Sequence, residues 1–164
     1  MDYVYLGRIT NTHGLKGEIK ILSNFKYKKL VFRKGFNLYI GKDKSKETIE
    51  SYRPHQEYDM VILKDLNYDE VLKYKGSLVF IKKEDLNLEK DQYLIEDLIS
   101  LNCYYKDLYL GKITNIEDQG NNNLVIEIRG NKKIYIPYNK HFIKDININD
   151  KRIEFQNVEG LIWK

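Results

Sequence analysis

The chain has 164 residues, 42% of them apolar and 32% charged, with a formal net charge of +4. That length suits one large domain or two small ones, and the mild basic excess draws a protein toward RNA or another anionic surface without the strong basicity of a dedicated nucleic-acid binder. A single cysteine, Cys103, excludes an intramolecular disulfide and a cysteine metal cluster, and no uncharged apolar run approaches the ~20 residues of a membrane span.

Asp2 follows the first Met, and Gly7 and Arg8 break the apolar residues behind it. The start therefore does not read as a secretion signal, and a cytoplasmic location without membrane contact is expected. Short apolar runs then alternate with turn signals, the pattern of a β-barrel or sandwich. Tyr3–Ile9 reads as a strand, and Lys16–Leu22 as another, with Ile19 and Ile21 on one face and Glu18 and Lys20 on the other. Phe36–Ile40, a turn at Gly41-Lys42-Asp43, Glu47–Arg53 and Met60–Lys64 continue the series. One helix is expected over Asn67–Tyr74, with Asn67 as cap, Glu70 as its capping-box partner and Gly76 closing it. Ser77–Lys82 resumes as a strand. The stretch 83–91, six of its nine residues charged, cannot form a core strand, so the domain boundary is placed there: a first domain over 1–82, a linker over 83–91 and a second domain over 92–164.

In the second domain Asp97–Tyr105 and Tyr109–Glu117 read as strands joined through Lys106-Asp107. A loop over 118–123 follows, then Leu124–Arg129 with Leu124, Ile126 and Ile128 on one face. Gly130-Asn131 is a hairpin signal resting on tolerance of positive φ. Lys133–Ile136 returns and Pro137 ends it by removing a ladder donor. Phe142–Ile148, a turn at Asn149-Asp150, Arg152–Phe155 and Gly160–Trp163 complete the series. The expected fold is mostly β: two small β-barrels joined by a charged linker. The 14 tyrosines read as strand-filling aromatics.

Little in the pattern points to catalysis. Gly7, Gly14 and Gly17 surround His13 and Lys16, and a nucleotide- or anion-binding small enzyme using the Gly14–Gly17 loop is one reading. A phosphate loop, however, runs G-x-x-x-x-G-K-[ST] into a helix, whereas Gly17 is followed by a strand pattern. The other reading is that Gly14 and Gly17 supply special backbone angles in a hairpin presenting Arg8, His13 and Lys16. His13, His55 and His141 lack ligand spacing, so no metal or other cofactor is expected. Cys103, between Leu101 and Tyr104, reads as a small buried hydrophobe. Lys26, Lys28, Lys29 and Arg33 interleave with Phe25, Tyr27 and Phe32, a mixture suited to RNA backbone and base faces.

From Val4 to Ile21 the chain resembles the N-terminal signature of the ribosome maturation factor RimM family. Tyr52-Arg53-Pro54-His55, Val61–Leu66 and Asn67 through Gly76 resemble that family's middle segment. Tyr93–Ser100, Leu110-Gly111-Lys112-Ile113, Tyr135-Ile136-Pro137-Tyr138 and Glu159-Gly160-Leu161 resemble blocks of its PRC-type barrel. The resemblance implies a six-stranded N-terminal barrel similar to those of translation factors, followed by the PRC barrel, in a non-catalytic factor acting as a monomer. It implies binding to the immature 30S subunit and help with head maturation and rRNA processing. Small-subunit ribosomal protein nineteen would meet Tyr93, Leu94, Asp97, Leu98, Pro137 and Tyr138. Ribosomal RNA, 16S, would meet Arg8, His13, Lys16, Lys26, Lys28, Lys29 and Arg53. Gly7, Gly14, Gly17, Gly76 and Gly111 would shape the backbone. Two departures stand out: the family has an aromatic pair where this chain has Tyr93-Leu94, and Gly where Ser100 stands, so the turn at Ser100 is expected to be rebuilt.

Overall fold

The computed structural model describes residues 2–121 and 123–163, so Asn122 of the expected 118–123 loop lies outside the described residues. The chain divides into two compact units, Met1–Glu89 and Lys90–Lys164.

The first unit is a closed antiparallel barrel. Its strands are β1 (Tyr3–His13), β2 (Glu18–Leu22), β3 (Asn37–Ile40), β4 (Ser45–His55), β5 (Tyr58–Leu63) and β6 (Leu78–Lys82), in the order β1-β2-β5-β4-β3-β6. Period-two alternation puts Leu6, Ile9, Ile19, Ile21, Ile49 and Ile81 inside, each no more than 1% exposed. Each such side chain contributes about 1.5–3 kcal/mol through its burial. Closure needs local breaks in that alternation. The register of β1 slips between Tyr5 and Gly7 against β6, and there Leu6 and Gly7 are both buried. A Cβ on Gly7 would stand 2.3 Å from the Leu22 carbonyl oxygen, so close passage of β2 is what demands glycine. Gly14 and Gly17 turn β1 into β2 at φ +72° each, as the hairpin reading expects.

Two short helices brace the barrel. The expected helix forms over α2 (Tyr68–Leu72): Asn67 accepts from the Glu70 amide, Glu70 accepts from the Asn67 amide, and Gly76 follows at φ +84°. The other, α1 (Lys28–Val31), was not expected from the sequence. One turn is too short to show a helical period, and tertiary contacts fix it. Lys28 Nζ lies 2.7 Å from Asp59 Oδ2 on β5, and Phe32 stacks on Tyr52 of β4 with ring centroids 5.2 Å apart. Part of the charged stretch is also ordered: Lys83–Asp85 forms a 3-10 turn, the Lys83 amide donates to the Asp2 carbonyl, and Leu86 is buried.

The second unit is a six-stranded sheet in the order β10-β9-β8-β7-β12-β11. The strands are β7 (Asn102–Tyr105), β8 (Leu108–Asp118), β9 (Leu124–Arg129), β10 (Lys133–Pro137), β11 (Ile143–Asn147) and β12 (Arg152–Phe155). It curls around a single core that draws on every strand, including Ile113, Ile126, Ile136, Cys103, Phe155 and the partly buried Ile146. Of its five pairings four are between sequence neighbours, and in the fifth β7 lies parallel to β12. No short-range signal announces that pairing.

Four expectations are corrected here. Asp97 and Leu98, expected to begin a strand over Asp97–Tyr105, belong instead to one helical turn, α3 (Ile95–Leu98), and Glu159–Ile162 forms another, α4, where Gly160–Trp163 was expected to extend the β pattern. The α4 turn is tied down by Tyr105 donating to Glu159 and by Lys132 donating to the Ile162 carbonyl. The turn at Ser100 is not rebuilt: Ser100 itself takes φ +75° and its amide donates to Ile113 O at 2.8 Å. Finally, the hairpin after β9 is present, but neither Gly130 nor Asn131 has positive φ. Gly130 is needed because a Cβ there would lie 2.4 Å from Leu110 O, and a Cβ on Gly111, at φ +125°, would lie 2.3 Å from Arg129 O. The two glycines let β8 and β9 cross almost backbone to backbone.

Candidate binding surfaces

The residues expected to meet RNA fall into two groups on the first unit. One surrounds Glu18 at the β1–β2 hairpin. His13 pairs with Glu18 in the register, and Arg53 on β4 donates from Nε and Nη2 to the two Glu18 oxygens at 2.9 and 2.8 Å. This fork holds the Glu18 carboxyl below its usual range against the opposing effect of burial, and the charges of His13 and His55 act in the same direction. Lys16 and Leu15 stand at the hairpin tip, Leu15 91% exposed. Leu15 is the residue that motif reading passed over; an apolar side chain in a polar turn was the available signal. The tip is braced from below, since a Cβ on Gly17 would sit 3.4 Å from Tyr68 Cα and from Val71 on α2.

The second group lies around α1, beyond the far end of β2. Lys26 and Lys29 are exposed, and the Lys26 ammonium sits 5.3 Å from the Tyr27 ring centroid. Although the side chain reaches solvent, partial burial of its ammonium lowers the Lys26 pKa. Lys28 differs from both: its ammonium is spent on Asp59, which is 3% exposed and whose other oxygen accepts from Tyr52 Oη at 2.7 Å. Burial and that carboxylate push the Tyr52 phenol well above its ordinary range. Lys28 is thus a structural cation, and Arg53 is largely occupied by Glu18. Arg8 is exposed on β1 between Leu22 and Leu78, five residues and about 17 Å of strand from His13. The seven cationic candidates are therefore not one cluster.

On the second unit Leu94 and Leu98 are 3% and 1% exposed, with Leu98 in the core of the unit. They cannot offer a surface, and this corrects their reading as partner anchors. Tyr93 and Tyr138 are half-buried against that core, Asp97 is half-buried in α3, and Pro137 is half-buried at the end of β10. The accessible part of the expected protein-binding set is thus Tyr93, Asp97, Pro137 and Tyr138. Burial pushes the Cys103 thiol up to about 12, which keeps it protonated and unreactive. Among the described residues no group of three or more His, Cys, Asp and Glu is placed to hold a metal ion, and no helix is long and apolar enough to cross a membrane. The Gly14–Gly17 turn leads into β2 and not into a helix, so it lacks the loop-to-helix passage of a phosphate loop.

Comparison with known proteins bears on both units. The profile described as the RimM N-terminal domain matches residues 4–86, and the RimM PRC barrel domain matches 95–161. A ribosome maturation factor RimM from an Exiguobacterium species is 32% identical over 99% of this chain and 98% of its own length. That from Staphylococcus haemolyticus is 32% identical over 97% and 98%. The solution structure of the N-terminal domain of RimM from Thermus thermophilus covers 54% of this chain and 98% of that one, at 19% identity and a TM-score of 0.46. With both domains matched in order across almost the whole chain, it belongs to the ribosome maturation factor RimM family.

Proposed function

We propose that the chain is a non-catalytic assembly factor, active in the cytoplasm, that binds the immature small ribosomal subunit and assists maturation of its head and processing of its rRNA. The observation that carries this reading is the end-to-end match, domain by domain, with proteins named ribosome maturation factor RimM. The first unit meets 16S rRNA through His13 and Lys16 at the hairpin, through Lys26 and Lys29 beside α1, and through Arg8. Small-subunit protein nineteen docks on the second unit near Tyr93, Asp97, Pro137 and Tyr138, and the stretch 83–91 joins the two surfaces. The factor acts by differential affinity: it favours a head conformation only to the extent that it binds that state more tightly.

Sucrose-gradient fractionation of cell lysate tests the reading directly. The protein is expected alongside small-subunit precursors. Recovery only at the top of the gradient would falsify it. The protein contact is tested apart from that by Tyr93→Ala, expected to weaken pull-down of the head protein while circular dichroism stays native.

A further inference from the structure

The register of the second unit lines up cations that are scattered along the chain. Lys133 on β10 pairs with Arg129 on β9, and Arg129 pairs with Lys112 on β8. Lys112 pairs with Asn102 on β7, and Asn102 with Arg152 on β12. The residues that follow or precede them, Ile134, Ile128, Ile113, Cys103 and Ile153, are buried, so alternation turns this row to the outer face. All four cations are exposed. With strands about 4.8 Å apart, the row crosses roughly 19 Å of sheet.

Nothing in the fold requires it. Like charges directly opposite one another weaken a sheet, and Lys133, Arg129 and Lys112 stand in succession. Glu127 relieves part of the repulsion: Arg129 Nε donates to it at 3.2 Å, and Thr114 Oγ1 donates to it at 2.7 Å. The span from Lys90 to Lys164 contains eleven basic and eleven acidic residues, so the row reflects placement and not excess charge.

Aromatic rings border the row. Tyr104 and Tyr109 pair on the next rung with centroids 5.3 Å apart, and the Arg152 guanidinium lies 3.8 Å over the Tyr104 ring. Tyr109 is 49% exposed, and Tyr135, two residues along from Lys133, is 50% exposed. A linear row of cations beside rings and a stacked guanidinium matches a partner with regularly spaced phosphates and unstacked bases. We propose that this outer face of the β10-β9-β8-β7-β12 sheet binds a single-stranded segment of RNA. The phosphates run along Lys133, Arg129, Lys112 and Arg152, and bases stack at Tyr109 and on the Arg152–Tyr104 pair. An acidic protein segment would use the cations and leave the rings idle.

This places an RNA contact on the unit to which the proposed function gives a protein partner, and its test needs no ribosomal subunit, so the two readings can fail separately. The experiment is fluorescence anisotropy of the full chain with a short unstructured oligoribonucleotide across a salt series. The background carries Lys16→Ala, Lys26→Ala and Lys29→Ala to silence the first unit. Adding Lys112→Ala, Arg129→Ala and Lys133→Ala is expected to lower the slope of log affinity against log salt by about one and a half, from single-strand phosphate contacts of Lys112 and Lys133 at ~0.7 each. Arg129 adds little, because Glu127 already neutralises it. Tyr109→Leu, which keeps apolar area and removes the ring, is expected to weaken binding roughly fivefold at unchanged slope. The melting temperature of the triple variant should not fall, because like-charge repulsion is relieved. Unchanged slope and affinity in the triple variant overturn the proposal. So does full competition by a polyglutamate peptide combined with no effect of Tyr109→Leu, which assigns the row to an acidic protein.

Discussion

Ser100 occupies a position where its side chain is a liability. At φ +75° an L-residue crowds its own backbone, which costs about 1–2 kcal/mol relative to glycine. The turn cannot relax, because the Ser100 amide is committed to Ile113 O and the Leu101 amide to Leu98 O. Ser100→Gly is therefore expected to stabilise the protein by about 1 kcal/mol, less than the full relief because glycine also gains freedom in the unfolded chain. Thermal unfolding followed by circular dichroism reads this as a rise in midpoint; a fall would mean that the unfolded-state entropy outweighs the strain. Lys28 and Lys29 make a second case, adjacent and identical in type but different in consequence. Lys28→Ala leaves Asp59, 3% exposed, without its cation, whereas Lys29 has an exposed side chain at the surface. Removing one partner of a buried pair costs several kcal/mol, and the half-open setting of Lys28 reduces that to about 2 kcal/mol. Urea unfolding should separate the two variants, with Lys29→Ala within about 0.5 kcal/mol of the parent.

The elements that could be read from the chain are those whose signals are local. The capping box of α2 lies within four residues, and the strands of the barrel announce themselves by alternation, so both were legible. The single turns α1, α3 and α4 were not, because four residues hold no period and their causes lie elsewhere: Asp59 for α1, Tyr105 and Lys132 for α4. At α2 a distant partner adds to a local signal. Tyr74, just past the helix, donates its hydroxyl to Glu47 on β4, and burial together with that carboxylate raises its pKa from 10.0 to about 12. A raised pKa means that the folded state holds the proton more tightly than the unfolded chain. Its contribution is complete below pH 10 and is lost as the pH rises toward 12. Urea midpoints should accordingly decline across that window, and Tyr74→Phe should make the decline shallower while lowering stability at neutral pH. An identical pH profile in Tyr74→Phe would show that other groups, Tyr52 among them, carry the whole dependence.

At the scale of the whole molecule, charge is what the chain shows least directly. Its +4 is carried by the first unit, where 17 basic residues face 13 acidic ones, while the second unit is neutral. The basic run around Lys26 was visible as a run, yet which of its members face solvent depended on Asp59, thirty-one positions past Lys28. Likewise the hairpin was legible from Gly14 and Gly17, but the capture of Arg53 by Glu18, thirty-five positions apart, was not. These pairings decide which cations can release counterions on meeting RNA. A cation already neutralised by a carboxylate gains little from a phosphate and releases little condensed salt. Neutralising Lys16, Lys26 and Lys29 together is therefore expected to reduce the salt slope of binding to precursor subunits by about two to three, at ~0.7–0.9 per phosphate contact, with native stability. Neutralising Lys28 and Arg53 instead should leave the slope near that of the parent and lower the unfolding midpoint. If the second pair moves the slope as much as the first set, both ion pairs open on the ribosome, and the cations that the barrel holds in reserve belong to the binding surface.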